Sequence, residues 1–318
     1  MKLGKLYQRA IDIGIENDPR GRGAVEKELS QVNKDYQQLD KDKKKEFNMD
    51  LLVNPYADTR ILNGDRDSEI KNVFVGVDME TPELLLAARL NDAGAKIDLV
   101  LSHHPQGYAY AGFYEVMRMQ GDIIGNLGVP ISVAEGLTLE RMGQVGRRVS
   151  AANHMRPMDA ARLLGLNFAC IHTPADNCVT TYLNKLMEEK RPRAVGEIIE
   201  ILNDVPEYKY AAQNKSGPTI LLGDKKRKCG KIFVDMTGGT EGSKEMFSRL
   251  AAAGVSTIIA MHLSEEHFNS AKKENINVVI AGHISSDNLG LNLLLDSIID
   301  KDSSLNIVSA SGFKRIKR

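Results

Sequence analysis

Three short runs hold most of the residues able to do chemistry: H-H-P at 103–105, H-T-P-A-D at 172–176 and G-H-I-S-S-D at 282–287. A lone histidine is ordinarily a structural residue whose ring hydrogen-bonds the next turn. Three clusters, two of which pair His with Asp, have few joint explanations besides a metal site or an acid–base centre. His103, His104, Asp176, His283 and Asp287 are the candidate metal ligands. Imidazole with carboxylate suits zinc, iron, manganese, cobalt and nickel alike, so the ligand types leave the metal open.

The spacing within each run constrains how it can be used. Neighbouring side chains leave an extended backbone in different directions, so His103 and His104 are poorly placed to grip one ion. Two divalent ions resolve this, each imidazole taking its own metal while carboxylates bridge ions about 3.5 to 4 Å apart. His283 and Asp287 are four residues apart and share a face if a helix starts by Ser285. His172 and Asp176 have the same spacing, but Pro174 interrupts it, so the expectation there is a loop. Asp176 is the better ligand of that pair, with His172 either a ligand or a group that orients a carboxylate or water.

All three runs fall where an apolar segment stops. Val73–Val77, Ile97–Leu101, Phe168–Ile171, Lys231–Asp235, Val255–Ala260, Val278–Ala281 and Asn306–Val308 predict strands. Pro82–Ala95, Val179–Glu189, Lys244–Ala253, Glu265–Glu274 and Asn288–Ile299 predict helices. This alternation predicts an α/β fold of mainly parallel sheets flanked by helices, and open sheets of that kind bind ligands beyond the carboxyl ends of their strands. The expected plan is two similar lobes, about 71–190 and 215–318, around a central metal crevice. The glycine-punctuated stretch between Tyr108 and Leu166 predicts helices and loops, and no repeat of fixed period is visible.

Residues 1–70 are rich in charge, with D-K-D-K-K-K-E at 40–46, and lack strand-like alternation; they predict a helical N-terminal arm used for packing or oligomerisation. D-M-T-G-G-T-E-G-S at 235–243 follows a strand, and a tight turn that needs Gly238 and Gly239 is favoured there over an anion cradle. The basic run at Lys225–Lys228 predicts a solvated hairpin turn and not a nucleic-acid surface.

Composition narrows the setting. The 42 basic residues balance 42 acidic ones, which gives no global reason to expect a nucleic-acid or membrane partner. No stretch approaches the roughly 18 unbroken apolar residues of a membrane span, and the charged start offers no signal-peptide core, so a cytoplasmic location is expected. The 3 cysteines are widely spaced and form no C-x-x-C pair, which predicts reduced thiols and leaves metal chemistry to nitrogen and oxygen.

The ordered set D-L-V-L-S-H-H-P (98–105), H-T-P-A-D (172–176), D-M-T-G-G-T (235–240), H-L-S-E-E-H (262–267) and A-G-H-I-S-S-D (281–287) resembles the NIF-three-like family of dinuclear metal proteins, the GTP cyclohydrolase I type 2 homologues. The resemblance runs from about Val73 to the C-terminus. It implies that His103, His104, Asp176, His283 and Asp287 ligate two divalent ions, that His172 and His267 line the same cavity, and that the chain forms a toroidal homohexamer. Two departures stand out. Asp287 replaces the family's usual Glu, shortening the reach by one methylene, and Met261 and His262 replace a Gly-Asp pair.

The expected function is a metal-dependent hydrolase for a small phosphorylated or heterocyclic metabolite. Paired ions would activate a bridging water, while His172 or His267 moves the proton. The alternative is a non-catalytic metal-binding regulatory or scaffold protein.

Overall fold

The computed structural model describes residues 1–302 and 305–318. Among the described residues, nine strands build two sheets: β1 (Arg60–Asn63), β2 (Asn72–Gly76), β3 (Leu99–Ser102), β4 (Asn167–Cys170), β5 (Thr219–Leu222), β6 (Lys231–Asp235), β7 (Val255–Ala260), β8 (Asn277–Ile280) and β9 (Asn306–Ser309). The first sheet has the order β1-β4-β3-β2-β9 and the second β5-β8-β7-β6. All neighbours run parallel except β1 against β4 and β5 against β8. Each sheet is therefore wound in the same way, three parallel strands in succession with an antiparallel strand laid beside the last. The first carries β9 as an addition next to β2.

The central strands are covered on both faces, which explains why they read as unbroken apolar runs. Along β2, Val73 and Val75 face a cluster with Leu99, Leu101 and Leu294, while Phe74 turns the other way toward Val100, Phe168 and Leu84. In the second sheet Val234, Ile259 and Val279 face one layer, and Phe233, Ile258 and Val278 the other. Strands β5 and β9, each at the edge of its sheet, have no fully buried residue, in keeping with their marginal places.

The N-terminal segment is helical over Leu3–Glu16, Arg22–Gln38 and Lys41–Glu46. Its first helix buries Leu3, Leu6, Ala10 and Ile13 in the core of the first sheet, and β1 from the same segment becomes an edge strand of that sheet. The turn at Lys225–Lys228 is not a hairpin: β5 and β6 lie at opposite edges of the second sheet, so the basic run belongs to a crossover connection. Gly238 and Gly239 have φ of 103° and 85°, so the tight-turn reading accounts for both.

Two helices fix the geometry between the sheets. Thr173–Lys190 leaves the end of β4, and His283–Asp302 leaves the end of β8. They meet where Gly290 lies against the other helix; a Cβ on Gly290 would stand 2.6 Å from the carbonyl oxygen of Ala175. Gly14 of the first helix touches Pro174 as closely, a Cβ there falling 2.7 Å from the proline Cβ.

Candidate metal centre

The helix from β8 begins at His283, earlier than the apolar periodicity predicts, so His283 and Asp287 occupy one face of its first turns. The helix from β4 begins at Thr173, which corrects the loop expected between His172 and Asp176. Pro174 occupies the first turn, where a missing amide hydrogen costs nothing, and His172 sits at the N-cap. The two His-x-x-x-Asp runs are thus equivalent features of the two sheets. Each starts the helix that follows the third parallel strand.

His103 and His104 follow directly from β3 and face this helix pair. His103 Nε2 lies 3.3 Å from Asp176 Oδ1 and 3.4 Å from Asp287 Oδ1. His104 Nε2 lies 3.6 Å from Asp287 Oδ2, and His283 Nε2 lies 3.7 Å from the same oxygen. His172 Nε2 is 3.6 Å from Asp176 Oδ2. The two oxygens of Asp287 therefore address different histidines, so the shorter side chain still reaches both groups. Three sets gather donor atoms within 4.8 Å of one another: His103 with His104 and His172, His104 with His283 and Asp287, and His103 with Asp176 and Asp287.

The other nitrogen of three of these rings is fixed by the protein. Nδ1 of His103 donates to the Ile171 carbonyl at 3.2 Å, Nδ1 of His104 to Asp78 at 2.6 Å, and Nδ1 of His172 to Asp58 at 2.8 Å. This arrangement sets the tautomer and turns each Nε2 lone pair inward, the usual architecture of a metal-ligating histidine. Asp58 also accepts from Thr173 Oγ1 at 2.6 Å, and Thr59 Oγ1 accepts from the His172 amide at 3.1 Å. Asp58 and Asp78 sit in loops with no motif of their own and were not identifiable from sequence spacing.

A donor set fits a cation when it is buried, rich in carboxylate and short of protein partners. Asp287 is 0 %, His103 1 % and Asp176 4 % exposed. Among the described residues, His103 Nε2, Asp176 Oδ1 and both oxygens of Asp287 are buried without a hydrogen-bond partner. Such orphaned groups carry a desolvation cost that a bound cation offsets. The same frustration appears in the titration. Burial alone would lower His103, yet Asp287 and Asp176 outweigh it and hold the imidazole well above its usual range. Burial dominates at His283 and lowers it. Burial also opposes ionisation of Asp287, but His103 and the neighbouring imidazoles keep its carboxyl below the usual range.

A second polar group lies across the cavity. Glu241 accepts from the Ser264 amide at 2.6 Å and stands 3.4 Å from His262 Nδ1 and 3.5 Å from His267 Nδ1. Although burial opposes it, His262, His267 and Ser264 bring the Glu241 carboxyl down to about 2. His267 shares a hydrogen bond with Ser264 Oγ at 2.6 Å and donates from Nε2 to the Gly242 carbonyl at 2.9 Å, so both ring nitrogens are engaged within the protein. His262, which the sequence marks only as a departure from the family pattern, is half exposed, and its ring centroid lies 4.9 Å from that of His283. His172 and His267 both line the cavity, but only His172 belongs to the donor cluster.

No family model and no curated protein matches the chain. Among solved structures it is similar to a NIF3 superfamily protein from Sphaerobacter thermophilus, with 27% identity and a TM-score of 0.70 over 80% of this chain and 91% of that one. It is similar in fold to reduced HcgD from Methanocaldococcus jannaschii, with 16% identity and a TM-score of 0.50 over 78% of this chain and 87% of that one.

Proposed function

We propose that this chain, a NIF3-like protein, holds two divalent metal ions and hydrolyses a small phosphorylated or heterocyclic metabolite in the cytoplasm. The observation that supports it best is the set of orphaned, buried ligand atoms on His103, Asp176 and Asp287. His103, Asp176 and Oδ1 of Asp287 would hold one ion, joined by His172, and His104, His283 and Oδ2 of Asp287 the other. Divalent ions in such a centre supply Lewis acidity and lower the pKa of bound water toward neutrality.

The chain's own contribution is to hold this set rigid and to handle protons. The Ile171 carbonyl, Asp78 and Asp58 hold three imidazoles in the ligating tautomer. His172 has one nitrogen on Asp58 and the other toward Asp176, which suits a ligand better than a shuttle. His262, backed by Glu241 and open to the cavity beside His283, is placed to accept or return a proton. His267 is given a positioning role, fixing Ser264 and the Glu241 loop.

The test is elemental analysis of protein purified without added metal, followed by assays on small heterocyclic and phosphoester substrates. Turnover lost on chelation, restored by divalent metal and abolished in His103→Ala is expected. Turnover indifferent to a chelator overturns the reading, and an inert substrate panel with one stoichiometric partner captured only by metal-loaded protein favours a scaffold role. The homohexamer belongs to the same proposal and is checked by light scattering.

A further inference from the structure

We infer that the centre receives an aromatic heterocycle with one metal-binding head group and no polyphosphate tail, its ring seated in an apolar annex against the second sheet. This rests on the two-ion reading above and narrows its substrate. A cavity of about 560 Å³ contains the faces of His104, His172, Asp176 and His283 and continues to Ile124, Phe233, Met246, Phe247, Leu250 and Ile258. These six residues belong to the apolar cluster between the second sheet and the helices Arg118–Asn126 and Met246–Ala252. The cavity therefore joins a polar, ligand-lined end to a wall made of core side chains. Its volume lies within the range of small-molecule sites, which are mostly apolar with a few placed polar groups.

Charge decides against a long phosphate chain. Apart from the ligands, the lining carries four carboxylates, Asp78, Glu80, Asp235 and Glu241. Among the described residues it has no lysine and one arginine, Arg156, which is exposed. Each phosphoryl group brings one to two negative charges that proteins meet with Arg, Lys or a row of amides. One anionic head on the ions is tolerable, because two divalent cations exceed the charge of Asp176 and Asp287. A tail of further phosphates would run past carboxylates. An uncharged ring loses nothing there and gains contact with Phe233, Phe247 and Ile258.

The test is calorimetric titration of the zinc-loaded protein with acetohydroxamate, benzohydroxamate and naphthohydroxamate, which share one chelating head and differ in ring size. Burying a naphthyl face predicts at least a tenfold tighter constant than for acetohydroxamate, on the order of what apolar area removed from water supplies. Leu250→Trp, which fills the annex, is expected to erase that gain and leave acetohydroxamate binding unchanged. Tripolyphosphate is expected to bind more weakly than naphthohydroxamate. Equal affinity across the hydroxamates, or tripolyphosphate binding more tightly than any of them, overturns the annex while leaving the metal centre standing. Failure of the protein to retain zinc on loading removes the metal reading and the annex with it, whereas zinc retained without acetohydroxamate binding overturns the annex alone. Should Leu250→Trp not fold, a crystal soaked with naphthohydroxamate decides the point: its ring must lie against Phe247.

Discussion

Asp58 receives the Nδ1 hydrogen of His172 at 2.8 Å, although 114 residues separate the two. Asp58 is fully buried, and burial would raise its carboxyl, but His172 and Thr173 keep it below the usual range. The pair joins the N-terminal segment to the centre. Asp58→Asn keeps the shape of the side chain but weakens its hold on the ring, and groups of this kind typically change metal affinity by about 10- to 100-fold. Competition with a fluorescent chelator measures the loss, and an unchanged constant would falsify the positioning role.

Asp287 addresses His103 with one oxygen and His104 and His283 with the other. Asp287→Ala should therefore abolish binding of both ions and not reduce the stoichiometry from two to one. Elemental analysis after loading distinguishes these outcomes. Because the surrounding imidazoles hold the Asp287 carboxyl below its usual range in spite of burial, its charge stabilises the folded state, so the metal-free variant should unfold at a lower temperature than the metal-free wild type near neutral pH.

Metal should stabilise the folded chain. The orphaned acceptors belong to the folded state alone, so ligand linkage applies, and an ion at a hundredfold excess over its dissociation constant adds about 2.7 kcal/mol. Differential scanning calorimetry with and without chelator reads this as a rise in Tm. The rise should vanish in a His103→Ala, His104→Ala double variant.

The helix pair that carries Asp176 and Asp287 touches through Gly290, where a Cβ would fall 2.6 Å from the Ala175 carbonyl. Gly290→Ala forces a backbone shift, a class of overpacking that costs roughly 1 to 3 kcal/mol. The same shift separates the carboxylates, so denaturant stability and metal affinity should fall together. A stability loss with unchanged affinity would mean that the ligands are positioned by β3 and the loops instead.

Asp235 ends β6 and opens into the cavity, whose enclosure and the nearby Glu241 raise its carboxyl to about 6. A raised acid binds its proton more tightly in the folded state, so the associated stability is complete below about pH 4 and is lost as pH rises through 6. Asp235→Asn should match wild type near pH 4 and exceed it at pH 7 to 8, by less than the full shift because water in the cavity screens the charge. Urea unfolding across that range is the measurement.

The chemistry of the centre was legible because it sits at strand ends. The runs Leu99–Ser102, Asn167–Cys170 and Asn277–Ile280 are apolar enough to mark buried parallel strands, and the polar residues that follow each could be read straight from spacing. The start of the helix at Thr173 was not legible, since Pro174 signals a break in a helix interior but suits a first turn, and only the backbone distinguishes the two. Asp58 and Asp78 were hidden for a different reason. Asp58 reaches His172 because β1 pairs antiparallel with β4, and Asp78 reaches His104 because β2 runs beside β3; both pairings are long-range and leave no periodic trace. Glu241 lay inside a glycine turn whose backbone demands masked its side chain.

The matching wind of the two sheets carries a consequence for how the molecule comes together. The segments that follow β3 and β4 of the first sheet offer three imidazoles and a single carboxylate, and the segment that follows β8 of the second contributes one imidazole and the acid that spans the gap. His103, His104 and His172 already form one donor set within the amino-terminal half, whereas the two sets built on Asp287 exist only once the halves have docked through the glycine contact. A cation held by Asp287 would therefore report on the seam between the two sheets, and its loss would be an early sign that the seam had opened.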